Sequence, residues 1–230
     1  MLAPLDVLKR FYEKAKWTKK LQNDNKFAKV FNEVVFNEVK DVELDRMQCV
    51  DRLIHLLHYM LVSESLDGDV VEMGVYDGGT AMLMSLLTTK DVYLYDSFQG
   101  FPAKDTKGKE SNGFVPFKFA ITKDLVLEKY LKYDIKKPII VSSYFHKLKK
   151  SDFPKKIAFA HLDSDIYQSM YDSLKLVYPL VSSGGFILID DYLTLKWEGT
   201  TRAVEEFLSD KPEKIFMLPG SNGTEAFKGI

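Results

Sequence analysis

Four short apolar runs in this chain each close on carboxylates. Asp69-Val-Val-Glu-Met carries Glu72 near its end, and Asp91-Val-Tyr-Leu-Tyr ends in Asp96. Lys156-Ile-Ala-Phe-Ala-His-Leu ends in Asp163, and Gly185-Phe-Ile-Leu-Ile ends in Asp190 and Asp191. Apolar runs of this length, bounded by turn residues, read as strands buried on both faces. Helical patterns lie between them, and strands that alternate with helices predict a mostly parallel sheet with helices on both faces. Such sheets bind ligands outside the carboxyl ends of their strands. One acid at a strand end is ordinary, but four strands that place acids at one rim point to a site.

The remaining elements follow from the same pattern. Residues 1–40 mix aromatics with Lys and Glu and predict short amphipathic helices. Leu53, Leu56, Leu57, Met60 and Leu61 recur at helical spacing, so a helix ends near Ser65. His55 and His58 lie on it three apart, but no third ligand stands nearby to close a metal site. Gly78-Gly79-Thr80 opens a helix to about Leu87, and Thr122 caps one that runs to about Tyr133. Pro138–Ser142 is a further strand, Tyr167–Val177 a helix that stops before Pro179, and Thr201–Leu208 another helix. Lys214–Leu218 and Thr224–Lys228 flank a turn-rich link and predict a C-terminal hairpin. The stretch 100–120, with its glycines, prolines and charges, is a long loop of the kind that forms lids and binding loops.

Composition closes off other classes. The 230 residues carry a formal net charge of −1, which offers no general attraction to nucleic acid or to an anionic membrane. Small lysine clusters, Lys14, Lys16, Lys19 and Lys20 and then Lys147, Lys149 and Lys150, read as solvated faces. No run is long and apolar enough to span a bilayer, and the N-terminus lacks the apolar core of a signal peptide. Cys49 is the sole cysteine, so no internal disulfide forms. The expectation is a cytoplasmic protein.

Two constellations occupy the expected rim. In Glu72-Met-Gly-Val-Tyr-Asp-Gly-Gly79, Gly74 permits a tight turn and close ligand approach, while Gly78 and Gly79 leave a helix N-terminus bare for an anion. No Walker loop follows, and GxGxxG is absent. Glu72 at that rim disfavours a phosphate-rich cofactor. It suits a ligand with a cationic centre, one carboxylate and a ribose. Asp96, about 20 residues beyond the glycines, stands where an acid accepts ribose hydroxyls. The second constellation is Asp163-Ser-Asp165 with Asp190-Asp191. Clustered carboxylates repel, and a divalent cation relieves that repulsion. Oxygen-only ligands suit Mg²⁺, Mn²⁺ or Ca²⁺. Such an ion clamps a hydroxyl and lowers its pKa, and a carboxylate beside it takes the proton. His161 lies two residues before Asp163, on the same strand face, as a candidate general base or a packed core histidine.

These segments occur in a fixed order with Tyr95-Asp-Ser-Phe-Gln-Gly-Phe-Pro102, His161-Leu-Asp-Ser-Asp-Ile-Tyr-Gln-Ser169, Gly184-Gly-Phe-Ile-Leu-Ile-Asp-Asp-Tyr192 and Thr201-Arg-Ala-Val-Glu-Glu-Phe207. The set resembles the macrocin O-methyltransferase family from about Asp41 to Leu208. The resemblance implies a Rossmann-like class I methyltransferase fold and two cofactors, S-adenosylmethionine and Mg²⁺ or another divalent cation. It implies that Glu72 and Gly74 meet the methionine end and that Asp96 and Ser97 meet the ribose. Tyr76, Gly78, Gly79, Thr80 and Phe98 complete the cofactor set. It further implies that Asp163, Asp190 and Asp191 bind the metal and that Asp163 assists deprotonation, with His161 as the other catalytic candidate. Residues 1–66 are then an N-terminal helical extension and 67–230 the cofactor-binding catalytic domain, in a homo-oligomer whose contacts include the N-terminal helices. The expected acceptor is a hydroxyl of a sugar or glycosylated small molecule. The alternatives are a catechol-like phenol as acceptor, a nicotinamide oxidoreductase, against which the missing GxGxxG argues, and a non-catalytic nucleoside-binding module.

Overall fold

The computed structural model describes residues 25–41, 46–103, 105, 120–194, 198–213, 215–217 and 225–229. The expectations for residues 1–24, for most of the 100–120 loop and for the link at 218–224 lie outside them. Two helices come first, α1 (Asn25–Asp41) and α2 (Arg46–Val62). Then β1 (Asp69–Met73), α3 (Gly79–Leu87), β2 (Val92–Asp96), α4 (Lys123–Lys132), β3 (Ile139–Ser142) and β4 (Ile157–Leu162) alternate. The chain continues through α5 (Tyr167–Val177), β5 (Val181–Asp190) and α6 (Glu198–Leu208) to β6 (Phe216–Met217) and β7 (Glu225–Gly229).

The strands form one sheet in the order β3-β2-β1-β4-β5-β7-β6. The first five pair in parallel. β7 returns antiparallel against β5, and β6 pairs antiparallel with β7, as a terminal hairpin. β1 sits in the middle with β4 beside it, so strand order reverses between them, and this is where ligands enter doubly wound sheets.

Alternation along the strands divides the core in two. Val70, Leu94, Phe159 and Leu188 face a layer that contains Phe27, Phe31 and Val34 of α1, Leu53, Leu57 and Met60 of α2, and the buried faces of α3 and α4. Val71, Met73, Tyr95, Ala160, Leu162, Ile187 and Ile189 face the opposite layer, built on Met170 and Leu174 of α5 and Ala203 and Val204 of α6. Helices therefore cover both faces, and α1 and α2 supply part of one layer. Thr122 caps α4 as expected: its backbone is extended and its hydroxyl accepts the Leu125 N–H at 3.3 Å.

Two boundaries differ from the sequence pattern. Helix α6 starts at Glu198, one turn before the expected Thr201. Strand β5 starts at Val181 rather than Gly185, because the Gly184-Gly185 pair lies inside the strand as an irregularity. Gly184 has φ +79°, and a Cβ on Gly185 would meet the Ser182 carbonyl oxygen at 2.8 Å. The glycines serve a local bend in the strand, which a turn-based reading takes for a boundary.

Candidate active site

The loop between β1 and α3 follows from its glycines. Gly74 has φ +90°. Its N–H donates to the Tyr95 carbonyl at 2.9 Å, and the Asp163 N–H donates to the Met73 carbonyl at 2.9 Å, so three strand ends are laced together here. Gly78, at φ +79°, precedes α3 with no side-chain cap of its own. The helix end is not bare, however. The Asp77 carboxylate accepts the Gly79 N–H at 3.0 Å and is itself paired with Lys129 of α4.

Glu72 and His161 are level with each other on adjacent strands, and both are buried. Nδ1 of His161 lies 2.9 Å from Glu72 Oε1, and the Thr80 hydroxyl donates to that same oxygen. Glu72 Oε2 is buried with no hydrogen-bond partner among the described residues. A buried carboxylate oxygen without a donor is costly unless a ligand supplies one.

Asp96 closes the other side. Its Oδ2 accepts the N–H groups of Val75 at 2.8 Å and Tyr76 at 3.1 Å, and its Oδ1 accepts Phe98 N–H at 2.7 Å. The carboxylate thus clasps the glycine loop to the loop after β2. A carboxylate offers about four lone-pair sites, so one direction remains for a further donor. The Ser97 hydroxyl bridges its own turn, accepting from Gln99 N–H and donating to the Gly100 carbonyl. Tyr76 is exposed at the mouth, and Phe98 packs against the α1–α4 layer.

The aspartates converge from β4 and β5. Ligand atoms of His161, Asp163 and Asp190 lie within 4.8 Å of one another, as do carboxylate oxygens of Asp163, Asp165 and Asp191. Asp163 belongs to both groups and is their hinge. Asp190 is buried. Its Oδ1 accepts the Asp191 N–H at 3.0 Å, and its Oδ2 is paired with the Arg52 guanidinium from α2. Burial and the neighbouring carboxylates of Asp190 and Asp191 push the Asp163 carboxyl well above the usual range, with Arg52 pulling it down. Burial, Asp190 and Asp165 raise Asp191 in the same way. Among the described residues, five of the six non-glycine residues with positive φ stand at this rim: Tyr76, Phe98, Asp165, Asp191 and Leu193. Such conformations cluster where a site holds its groups in place.

Residues 8–215 match the macrocin O-methyltransferase (TylF) family. The chain belongs to this family. It is 28% identical over 159 residues to the demethyldecarbamoylnovobiocin O-methyltransferase of Streptomyces niveus, across 64% of this chain and 58% of that protein. It is 27% identical over 167 residues to the 8-demethyl-8-(2,3-dimethoxy-alpha-L-rhamnosyl)-tetracenomycin-C 4'-O-methyltransferase of Streptomyces olivaceus, across 65% of this chain and 59% of that protein. The chain thus spans under two thirds of the length of these curated relatives. Among solved structures, the O-methyltransferase NovP superposes with a TM-score of 0.66 at 23% identity, covering 78% of this chain and 79% of that one. The Rossmann-like class I methyltransferase fold expected from the sequence is the fold observed.

Within this macrocin O-methyltransferase family member, the structure brings the sequence-derived candidates to one rim. Glu72, Gly74, Gly79 and Thr80 line the β1–α3 turn, Asp96, Ser97 and Phe98 face it from β2, and Asp163, Asp190 and Asp191 lie across from them. Asp165 belongs to the aspartate constellation of the sequence but not to its assigned metal or catalytic residues, and its left-handed backbone (φ +58°) turns it back to the cluster. One residue comes in that was not among the candidates. Arg52 carries no local signal, since it lies in a polar position of a helix more than a hundred residues away in sequence. The lysines Lys147, Lys149 and Lys150 are exposed, as expected. His55 and His58 join no metal-ligand group among the described residues.

Proposed function

We propose that this chain is an S-adenosylmethionine-dependent O-methyltransferase that acts on a hydroxyl of a sugar or glycosylated small molecule with the aid of Mg²⁺. The observation that carries this reading is the junction of the glycine loop with the aspartate cluster, where Gly74 and Asp163 touch at the reversal of strand order. Both groups fit their places. The donor-less buried oxygen of Glu72 suits the ammonium of a methionine moiety, and the Asp163, Asp190 and Asp191 oxygens are the hard donors that Mg²⁺ takes. When bound, the cofactor supplies an activated methyl group and the ion supplies positive charge against which a hydroxyl ionises.

The chain's residues then divide the work. Glu72, fixed by Thr80 and His161, orients the methionine end. Asp96 holds the two loops that frame the ribose. Asp165, half-buried beside Asp163 and Asp191, is placed to take the acceptor's proton. His161, buried behind the aspartates, holds Glu72 and acts as a positioning residue. The relatives' names support O-methylation, and the second is named for a rhamnosyl tetracenomycin.

Calorimetry of the purified protein with S-adenosylmethionine tests the first half. Binding is expected in the wild type and roughly 10- to 100-fold weaker in Glu72→Gln, since charge-assisted hydrogen bonds contribute about 1.5–3 kcal/mol. No binding to the wild type, with or without Mg²⁺, overturns the reading. Mass spectrometry of acceptor mixtures then separates sugar hydroxyls from catechols.

A further inference from the structure

Asp190 is the most enclosed of the clustered aspartates, and both of its oxygens are engaged within the protein. Oδ1 takes the Asp191 N–H at 3.0 Å, and Oδ2 takes the Arg52 guanidinium. The pair is shielded, with side chains 15% and 3% exposed. Arg52 belongs to α2, whose apolar residues Leu53, Leu56 and Leu57 are sunk in the core beside it, so the guanidinium is delivered by a packed helix rather than by a loop. The overlapping groups are His161, Asp163 and Asp190, and Asp163, Asp165 and Asp191, and this arginine reaches Asp190 of the first.

We propose that Arg52 is an internal counter-cation of the metal site: it holds Asp190 while the ion is absent and sets how tightly the ion binds. The inference rests on the metal reading of the cluster. A divalent ion and a guanidinium that share one carboxylate repel each other, in a site where burial weakens solvent screening. Arg52 therefore weakens metal binding while it keeps the metal-free rim folded. A planar, permanently charged guanidinium suits this task, because it does not lose its proton as the surroundings change. The consequence is a site that holds its ion less tightly than its carboxylates alone would.

The test uses Mn²⁺ as the probe, followed by its electron paramagnetic resonance signal, on wild type, Arg52→Met and Arg52→Lys, with melting curves in EDTA and in Mg²⁺. Arg52→Met is expected to bind Mn²⁺ at least about tenfold more tightly than wild type. It is also expected to melt earlier in EDTA and to gain more from Mg²⁺. Arg52→Lys, which keeps the charge, is expected to stay near wild type in Mn²⁺ affinity; should the methionine variant fail to fold, Arg52→Gln takes its place and is expected to bind Mn²⁺ more tightly in the same way. Equal or weaker Mn²⁺ binding by Arg52→Met, with wild type binding normally, overturns the counter-cation role and leaves the metal reading intact. Absence of Mn²⁺ binding in wild type and both variants overturns the metal reading, and this proposal with it.

Discussion

A Cβ built on Gly74 would lie 1.7 Å from the carbonyl oxygen of Asp163, and the residue sits at φ +90°. Both facts forbid a side chain, and the first means that the glycine loop and a candidate metal ligand are in backbone contact. Gly74→Ala is expected to cost about 3 kcal/mol or more, by steric overlap and backbone strain together. For a chain of this size that lowers Tm by roughly 6–12 °C, measurable by calorimetry. An unchanged Tm would show that the strand ends can separate freely. Glycine at this position was legible in the sequence as a tight turn. Its partner was not, because the contact is with backbone atoms of Asp163, and backbone leaves no trace in residue identity. The same holds for Asp96. Its place at a strand end could be read, whereas the three N–H groups it gathers come from the loop's conformation.

The elements are where sequence and structure agree most closely, for a physical reason. Buried parallel strands must be apolar throughout, and helices that cover them must repeat every three to four residues, so both write themselves into the chain. Helix α2 shows this well: Leu53, Leu57 and Met60, each about 1% exposed, form its inner stripe. That stripe packs in the same core as Val70 of β1 and Leu94 of β2. Leu57→Ala is therefore expected to cost about 3 kcal/mol of global stability, read from urea unfolding. A loss near zero would make α1 and α2 an appendage to the sheet. What the helical period could not show is the role of its polar face. Arg52 lies among ordinary polar positions, and only the packing of α2 near the end of β5 turns it toward Asp190. The early start of β5 was hidden for a related reason, since glycine inside a strand looks the same as glycine at its edge.

For the whole molecule, the aspartate cluster couples stability to pH. Asp163 and Asp191 have carboxyls raised well above the ordinary value by burial and by their neighbours. A group raised in the folded state stabilises the fold below its unfolded value and loses that contribution as pH rises through its folded value. Metal-free protein is thus expected to lose stability as pH rises from the ordinary carboxylate range through neutrality. The lowered carboxylates Glu33 and Glu64 act in the opposite sense, but only as pH falls below their unfolded values, outside that window. Melting temperatures across this range in EDTA, for wild type and Asp191→Asn, check the assignment. The slope should flatten in the variant and also when Mg²⁺ is added, and a slope equal in all three would refute it.

The left-handed residues at the rim carry a further implication. Tyr76, Phe98, Asp165, Asp191 and Leu193 each adopt a conformation that glycine would adopt with less strain. At Tyr76 and Leu193, whose side chains are exposed, random mutagenesis followed by heat selection is therefore expected to bring in glycine. Survivors of such a screen would be hardier and looser at the rim of the candidate site. An engineer seeking a tougher protein that keeps this rim in shape would do better to mask those codons and let the search roam over the helical layers instead.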